Sequence, residues 1–181
     1  METQNLERFL KSFGGQVIRD AKANLIKAKG ETALGDSIRF EVTADEQGFT
    51  TKFFMEDYGE YLDKGVSGNK KEHSYINTAG ENVKSPYKYT TKGPPIDILS
   101  KWIKRKGIKP KGLGRGRDKK TGQFLSGFAY LISKKIKREG IKSLSFFQKP
   151  LGIKYKELKK GFLTELKLDI ESYLITYYRP K

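Results

Sequence analysis

Apolar residues at Leu6, Phe9, Leu10, Phe13, Val17, Ile18, Ala21 and Leu25 fall three or four apart. That spacing places them on one face of a helix running from Leu6 to Lys27, with Thr3 or Asn5 able to cap its start. Gly14-Gly15 interrupts the pattern at about 1 kcal/mol each relative to alanine, which predicts either a close neighbour or a bend. After Lys29-Gly30 the period changes to two. Ile38 to Ala44 (IRFEVTA) and the stretch from Gly48 to Phe54 alternate on either side of Glu46-Gln47-Gly48, and together they predict a hairpin. The second strand exits through Glu56 and Asp57 into Tyr58-Gly-Glu-Tyr-Leu-Asp-Lys-Gly65. Two tyrosines and a leucine there stand among carboxylates, a surface expected to be touched.

From Val66 to Gly93 the chain is polar, with Tyr75, Ile76, Tyr87 and Tyr89 scattered along it. A structureless segment of that length inside a compact domain is uncommon and is usually functional, so it reads as an extended arm ordered by a partner. Gly93-Pro94-Pro95 opens a short helix from Ile96 to Arg105 whose expected buried stripe is Ile96, Leu99, Trp102 and Ile103. Phe124 to Glu139 is helical again, with Phe124, Phe128, Leu131, Ile132 and Ile136 on one face and Gly140 as its stop. Ser143 to Pro150 (SLSFFQKP) reads as extended, because proline disfavours helical geometry at the residue before it. From Tyr155 to Tyr177 the pattern fits a helix through Leu158, Phe162, Leu166 and Ile170. The alternation Leu166, Leu168, Ile170 also fits a strand, and length favours the helix.

The 181 residues suffice for one domain, 1–181, with a modest core, since 36% are hydrophobic and 32% charged. The fold class this predicts is α+β: a small twisted antiparallel sheet packed against amphipathic helices, with long extended arm loops. No run approaches the roughly 20 apolar residues of a membrane span, and METQNLERF lacks the layout of a signal peptide, so a soluble chain with no membrane partner is expected. The absence of cysteine excludes disulfides, thiolate metal sites and a cysteine nucleophile.

Lys+Arg number 37 against 21 Asp+Glu, a formal +16 that favours polyanions or acidic protein surfaces as partners. The excess is densest in the glycine-rich basic loop Lys109 to Gly122 (KPKGLGRGRDKKTG), which carries Arg115, Arg117, Lys119 and Lys120. It lacks the Gly-Lys-Ser/Thr ending and the preceding apolar strand of a nucleotide-binding loop. His73 has no second histidine or cysteine near it in sequence, and a surface position is expected for it. Glu56, Asp57, Glu60 and Asp63 form the one dense acidic group. They have the oxygen chemistry of a magnesium site, but Tyr58, Tyr61 and Leu62 interleave them, and a partner-facing acidic edge is the reading preferred over a magnesium nuclease. No catalytic residue, metal ligand or cofactor site is expected.

The order of these features resembles the tail-completion and head-tail connector proteins of tailed bacteriophages. Their pattern runs from a strand ending in Tyr-Ala-x-x-Val/Leu-Glu-x-Gly to Pro-x-x-x-Ile-x-x-Trp, then to a helix that reaches a glycine and an aromatic Pro-Phe segment. Here the corresponding stretches are Tyr58 to Gly65, the Pro-Pro-led helix with Trp102, Lys137-Arg-Glu-Gly140 and Phe146-Phe147-Gln-Lys-Pro150, with Gly59 in place of the usual alanine and Asp63 in place of the glutamate. The resemblance implies a structural virion protein, not an enzyme, assembled as a homo-oligomeric neck ring at the junction of portal and tail. Its implied partners are the portal or adaptor protein, other neck and tail proteins and, by non-specific contact, packaged DNA. Its place would be the virion neck, after assembly in the host cytoplasm. Glu56, Asp57, Tyr58, Glu60, Tyr61, Asp63, Tyr75, Tyr87, Tyr89, Arg115, Arg117, Lys119 and Lys120 are the expected interface, acidic edge against basic loop. The alternative from a different class is a basic DNA-binding module using the same loop with Lys134, Lys135, Lys137 and Arg138, though no helix-turn-helix spacing is present.

Overall fold

The computed structural model of the protein describes residues 4–45, 48–108, 116–117, 124–125 and 127–178. A long helix α1 (Gln4–Lys29) and a short helix α2 (Ala33–Ser37) precede the strands β1 (Arg39–Asp45) and β2 (Gly48–Phe54), and α3 (Tyr58–Lys64) follows. Short strands β3 (Val66–Ser67), β4 (Ser74–Ile76) and β5 (Asn82–Lys84) lead to α4 (Ile96–Arg105). Then come β6 (Gly116–Arg117), β7 (Phe124–Leu125), α5 (Gly127–Glu139), β8 (Gly140–Ile141) and α6 (Gln148–Tyr178). The fold class is α+β. Among the described residues the strands pair two by two, β1 with β2, β3 with β8, β4 with β5 and β6 with β7.

The single domain expected from length is subdivided into two compact units. The first gathers Met1–Asp63, Ile76–Val83 and Leu144–Lys181, and the second gathers Lys64–Tyr75 and Lys84–Ser143.

In the first unit the predicted face of α1 is buried at Leu6, Leu10, Phe13, Val17, Ala21 and Leu25. The helix runs unbroken through Gly14-Gly15, and the close neighbour predicted there is the ring of Phe40, which lies on Gly14. Phe40 belongs to the hairpin, where it pairs with Phe53 while Val42 pairs with Thr51. Phe53 stands edge-on to Phe13 (centroids 6.4 Å apart) and to Phe147 (5.4 Å), which joins hairpin, α1 and the head of α6 in one core. Leu34, Ile38 and Phe146 complete it.

The tail is helical, and α6 begins at Gln148, inside the segment predicted to be extended. Pro150 falls in the first turn, where a missing N–H costs no intrahelical bond, so Lys149 can be helical after all. The helix runs antiparallel to α1, and Phe9 sits where Gly161 leaves room for its ring.

The second unit has a thinner core. On α4, Ile103 is buried and Ile96 and Leu99 are half-buried, but Trp102, predicted to be core, keeps 37% of its surface exposed. Ile96, Leu99 and Ile103 share one line at i, i+3 and i+7, and Trp102 is turned about 100° away from Ile103. On α5 the buried line is Ala129 and Ser133, whose hydroxyl donates to Pro94 O at 2.7 Å, while Leu131 is exposed. Phe124, assigned to the same helix by its spacing, lies in β7.

The stretch from Val66 to Gly93 is not a structureless arm. Val66 pairs with Ile141 and Ser67 with Gly140. Ser67 N–H also donates to Tyr87 O, and Tyr89 N–H to Ser67 O, both at 2.8 Å. These polar backbone groups find acceptors far along the chain, a pairing that local apolar periodicity does not report.

Candidate functional site

The acidic exit of β2 folds as helix α3. Its start is fixed by Ser37 Oγ, which accepts from Glu56 N–H at 3.1 Å. Gly59 is buried against Met55 and Leu34, and a Cβ there would stand 2.7 Å from Met55 Sδ and 2.8 Å from Leu34 Cδ1. The glycine found where the resemblance expects alanine thus answers a close approach. Glu56, Asp57, Tyr58, Glu60 and Tyr61 are exposed.

Asp63 is the exception, and a correction to the expected interface. It is 2% exposed, and its Oδ1 accepts from Phe147 N–H at 2.7 Å while Gln148 N–H lies 3.3 Å from Oδ2. A carboxylate at the N-terminus of α6 satisfies donors that have no intrahelical acceptor and complements the helix dipole. Asp63 therefore holds α6 in place and offers nothing to a partner. Among the described residues no three His, Cys, Asp or Glu side chains converge as metal ligands.

Tyr75, Tyr87 and Tyr89 are half-buried in the second unit. Burial pushes the Tyr89 phenol above its ordinary pKa. Arg115, Lys119 and Lys120 lie outside the described residues. The backbone of Arg117 is paired with Phe124 in the β6–β7 ladder.

Sequence reasoning counted the +16 as a property of the whole chain, but it is not shared. The second unit holds 21 Lys+Arg against 4 Asp+Glu, net +17, and the first holds 16 against 17, net −1. Within the second unit the charge converges on a groove of about 460 Å³ lined by Asn69, Lys70, Leu131, Lys134, Lys135, Lys137 and Arg138. The segment after β3 is tied to the last turn of α5. Asn69 N–H donates to Lys137 O at 2.9 Å, Lys70 N–H to Arg138 O at 3.0 Å, and His73 Nε2 to Glu139 O at 2.7 Å. These bonds satisfy carbonyls that a helix C-terminus leaves open. They also give half-buried His73 a structural role in place of the expected surface position. Gly140 then ends α5 at φ +77°, and a Cβ there would strike Val66 O.

Two of the unit's acids are already engaged. Glu139 pairs with Arg138 at 2.7 Å, a bond that lowers its pKa, and Glu72 pairs with Lys84 at 2.8 Å with the same effect. Among the described residues no carboxylate forms an ion pair with Lys70, Lys134, Lys135 or Lys137.

A second feature escaped the sequence reading. Asp169, 2% exposed on α6, accepts from Asn5 N–H at 3.1 Å and Leu6 N–H at 3.0 Å, so it caps α1 from across the helix pair. Residues 170–178 of α6 continue past the start of α1 by about 13 Å at 1.5 Å per residue. Ile170, Leu174 and Ile175 are exposed there, as is Leu163, two turns before Ile170 and three before Leu174 on the same line. Ile170, which the spacing puts on one apolar face with Leu158, Phe162 and Leu166, is thus left in water.

Comparison of the chain with protein-family models, with curated proteins and with solved structures gave no match. What fold and surfaces define is an α+β protein with a neutral helical unit and a basic one, and among the described residues no helix is long and apolar enough to cross a membrane.

Proposed function

We propose that this chain is a structural virion protein that assembles into an oligomeric neck ring between the portal and the tail of a tailed bacteriophage. The observation that carries the self-assembly is the exposed apolar side chains along the second half of α6, with Leu163 67% and Ile175 64% accessible on a protomer that buries Leu6, Leu10, Phe13, Val17, Ala21 and Leu25 of α1. Large apolar side chains left in water on successive turns mark a surface for another protein, and an identical protomer closes such contacts into a ring when the rotation closes. The exposed face of α3, with Tyr58 and Tyr61 among Glu56, Asp57 and Glu60, supplies a mixed aromatic and acidic patch of the sort found at interfaces. The neck as the place of assembly rests on the resemblance in element order and motifs. Catalysis has no part in this reading.

Light scattering and negative-stain microscopy of the purified chain, alone and with the proteins encoded beside it, test the proposal. The expected result is a ring of fixed copy number, lost in Leu174→Glu/Ile175→Glu without loss of the fold. A species that stays monomeric in every mixture overturns it.

A further inference from the structure

The basic groove of the second unit has no part in the contacts on which the ring proposal rests. Lys134, Lys135, Lys137 and Arg138 crowd the last two turns of α5, and Lys70 is brought beside them by hydrogen bonds to the helix-end carbonyls. The helix dipole favours some positive charge at a C-terminus, but it does not account for Lys70 and Lys71 arriving from another segment. Like charges held this close repel one another. The arrangement is at its most stable with a polyanion in place.

We propose that this groove binds the sugar-phosphate backbone of nucleic acid without reading its sequence. The lining decides between a nucleic acid and an acidic protein surface. Acidic protein partners bring apolar and aromatic anchors that need pockets, and here Leu131 is the one apolar side chain in the lining. Lysines, which act as point charges, dominate, and such groups position a phosphodiester backbone and do not identify bases. Of the lining side chains, Asn69 and Arg138 alone have the bidentate chemistry of base readout, and Arg138 is already paired with Glu139, against four lysines that have none. Exposed Tyr130, with Lys134 Nζ 4.9 Å from its ring centroid, stands on the same helix. The inference is independent of the ring proposal, because it rests on the second unit of a single protomer.

The test is fluorescence anisotropy of the full chain with a short labelled duplex, as DNA and as RNA, over a salt series. Two variants of equal charge loss are compared: Lys134→Gln/Lys135→Gln/Lys137→Gln/Arg138→Gln in the groove, and Lys101→Gln/Lys104→Gln/Arg105→Gln/Lys106→Gln on α4, none of whose residues line the groove. The groove variant is expected to lose affinity by about tenfold or more at moderate salt and to lower the log–log salt slope by about three to four, with the α4 variant changing affinity by less than about threefold. Equal losses in the two variants overturn the proposal, since the field of the unit as a whole would then suffice. Should the groove variant unfold, acetylation of the wild-type chain decides. Protection of Lys134, Lys135 and Lys137 by duplex, with Lys101 and Lys104 still reactive, supports the site, and uniform protection overturns it. Polyglutamate binding more tightly than either duplex overturns it in favour of an acidic protein partner. The DNA and RNA arms tell which polymer the backbone belongs to.

Discussion

The two units of this chain are stabilised in different ways. The first buries Phe13, Val17, Ala21, Leu25, Leu34, Ile38, Phe146 and Phe147 in one cluster and is close to neutral. The second buries Val66, Ile103 and Ala129, carries net +17, and is laced together by backbone hydrogen bonds between segments far apart in sequence. Burial of apolar surface is the dominant favourable contribution to folding, and it tolerates little removal. A lattice of hydrogen bonds contributes a modest net amount per bond while a charge excess opposes compaction. The difference teaches that the large apolar core and the charge excess lie in separate units, so that the unit carrying the self-repulsion is held by its hydrogen-bonded segments more than by burial.

The largest expected effect lies in the first unit. Phe146 is 1% exposed, and Phe146→Ala is expected to lower unfolding free energy by about 3–5 kcal/mol in denaturant titrations. A loss below about 1 kcal/mol would remove the apolar core from its place in the comparison. Next comes Asp63→Ala, which strips the buried Phe147 N–H of its acceptor and α6 of its N-terminal charge, at an expected cost of about 1–3 kcal/mol. Asp63→Asn should recover part of that loss, because an amide oxygen still accepts, and the same titrations read it.

Smaller changes are expected in the second unit. Trp102→Ala should cost about 1–2 kcal/mol, below the usual 3–5 for a fully buried aromatic, because 37% of the residue's surface already meets water. Thermal melting of the variant checks this, and a loss as large as that of Phe146→Ala would erase the contrast between the units. The smallest effect is a pH dependence. Burial raises the Tyr89 pKa in the folded chain, so its contribution is present in full below the ordinary tyrosine pKa of about 10 and is lost as pH rises through the folded value. Melting curves from neutral to alkaline pH should fall more steeply for the wild type than for Tyr89→Phe.

How much of this was legible depends on how far apart the cooperating residues lie. The α1 stripe, the hairpin with its alternation and the bounds of α4 follow from neighbours within a turn or two, and all were readable. The roles of Asp63 and Asp169 were not, since each caps a helix from a distant element, over separations of 84 and 164 residues. The short strands between Val66 and Lys84 also looked like an arm, because two- or three-residue ladders carry no periodicity. The basic groove was half visible. Lys134, Lys135, Lys137 and Arg138 stood out as a run, but Lys70 joins them only through bonds to the carbonyls of α5.

The capping of α1 by Asp169 also bears on how the chain is made. Every segment of the second unit has left the ribosome before Leu144 appears, so that unit can settle during synthesis, whereas the first must hold α1 with part of its apolar face, the part not covered by the hairpin and Leu34, open until α6 emerges. Its completion waits on a late, long-range docking of high contact order, an interval in which exposed apolar surface invites aggregation or chaperone capture.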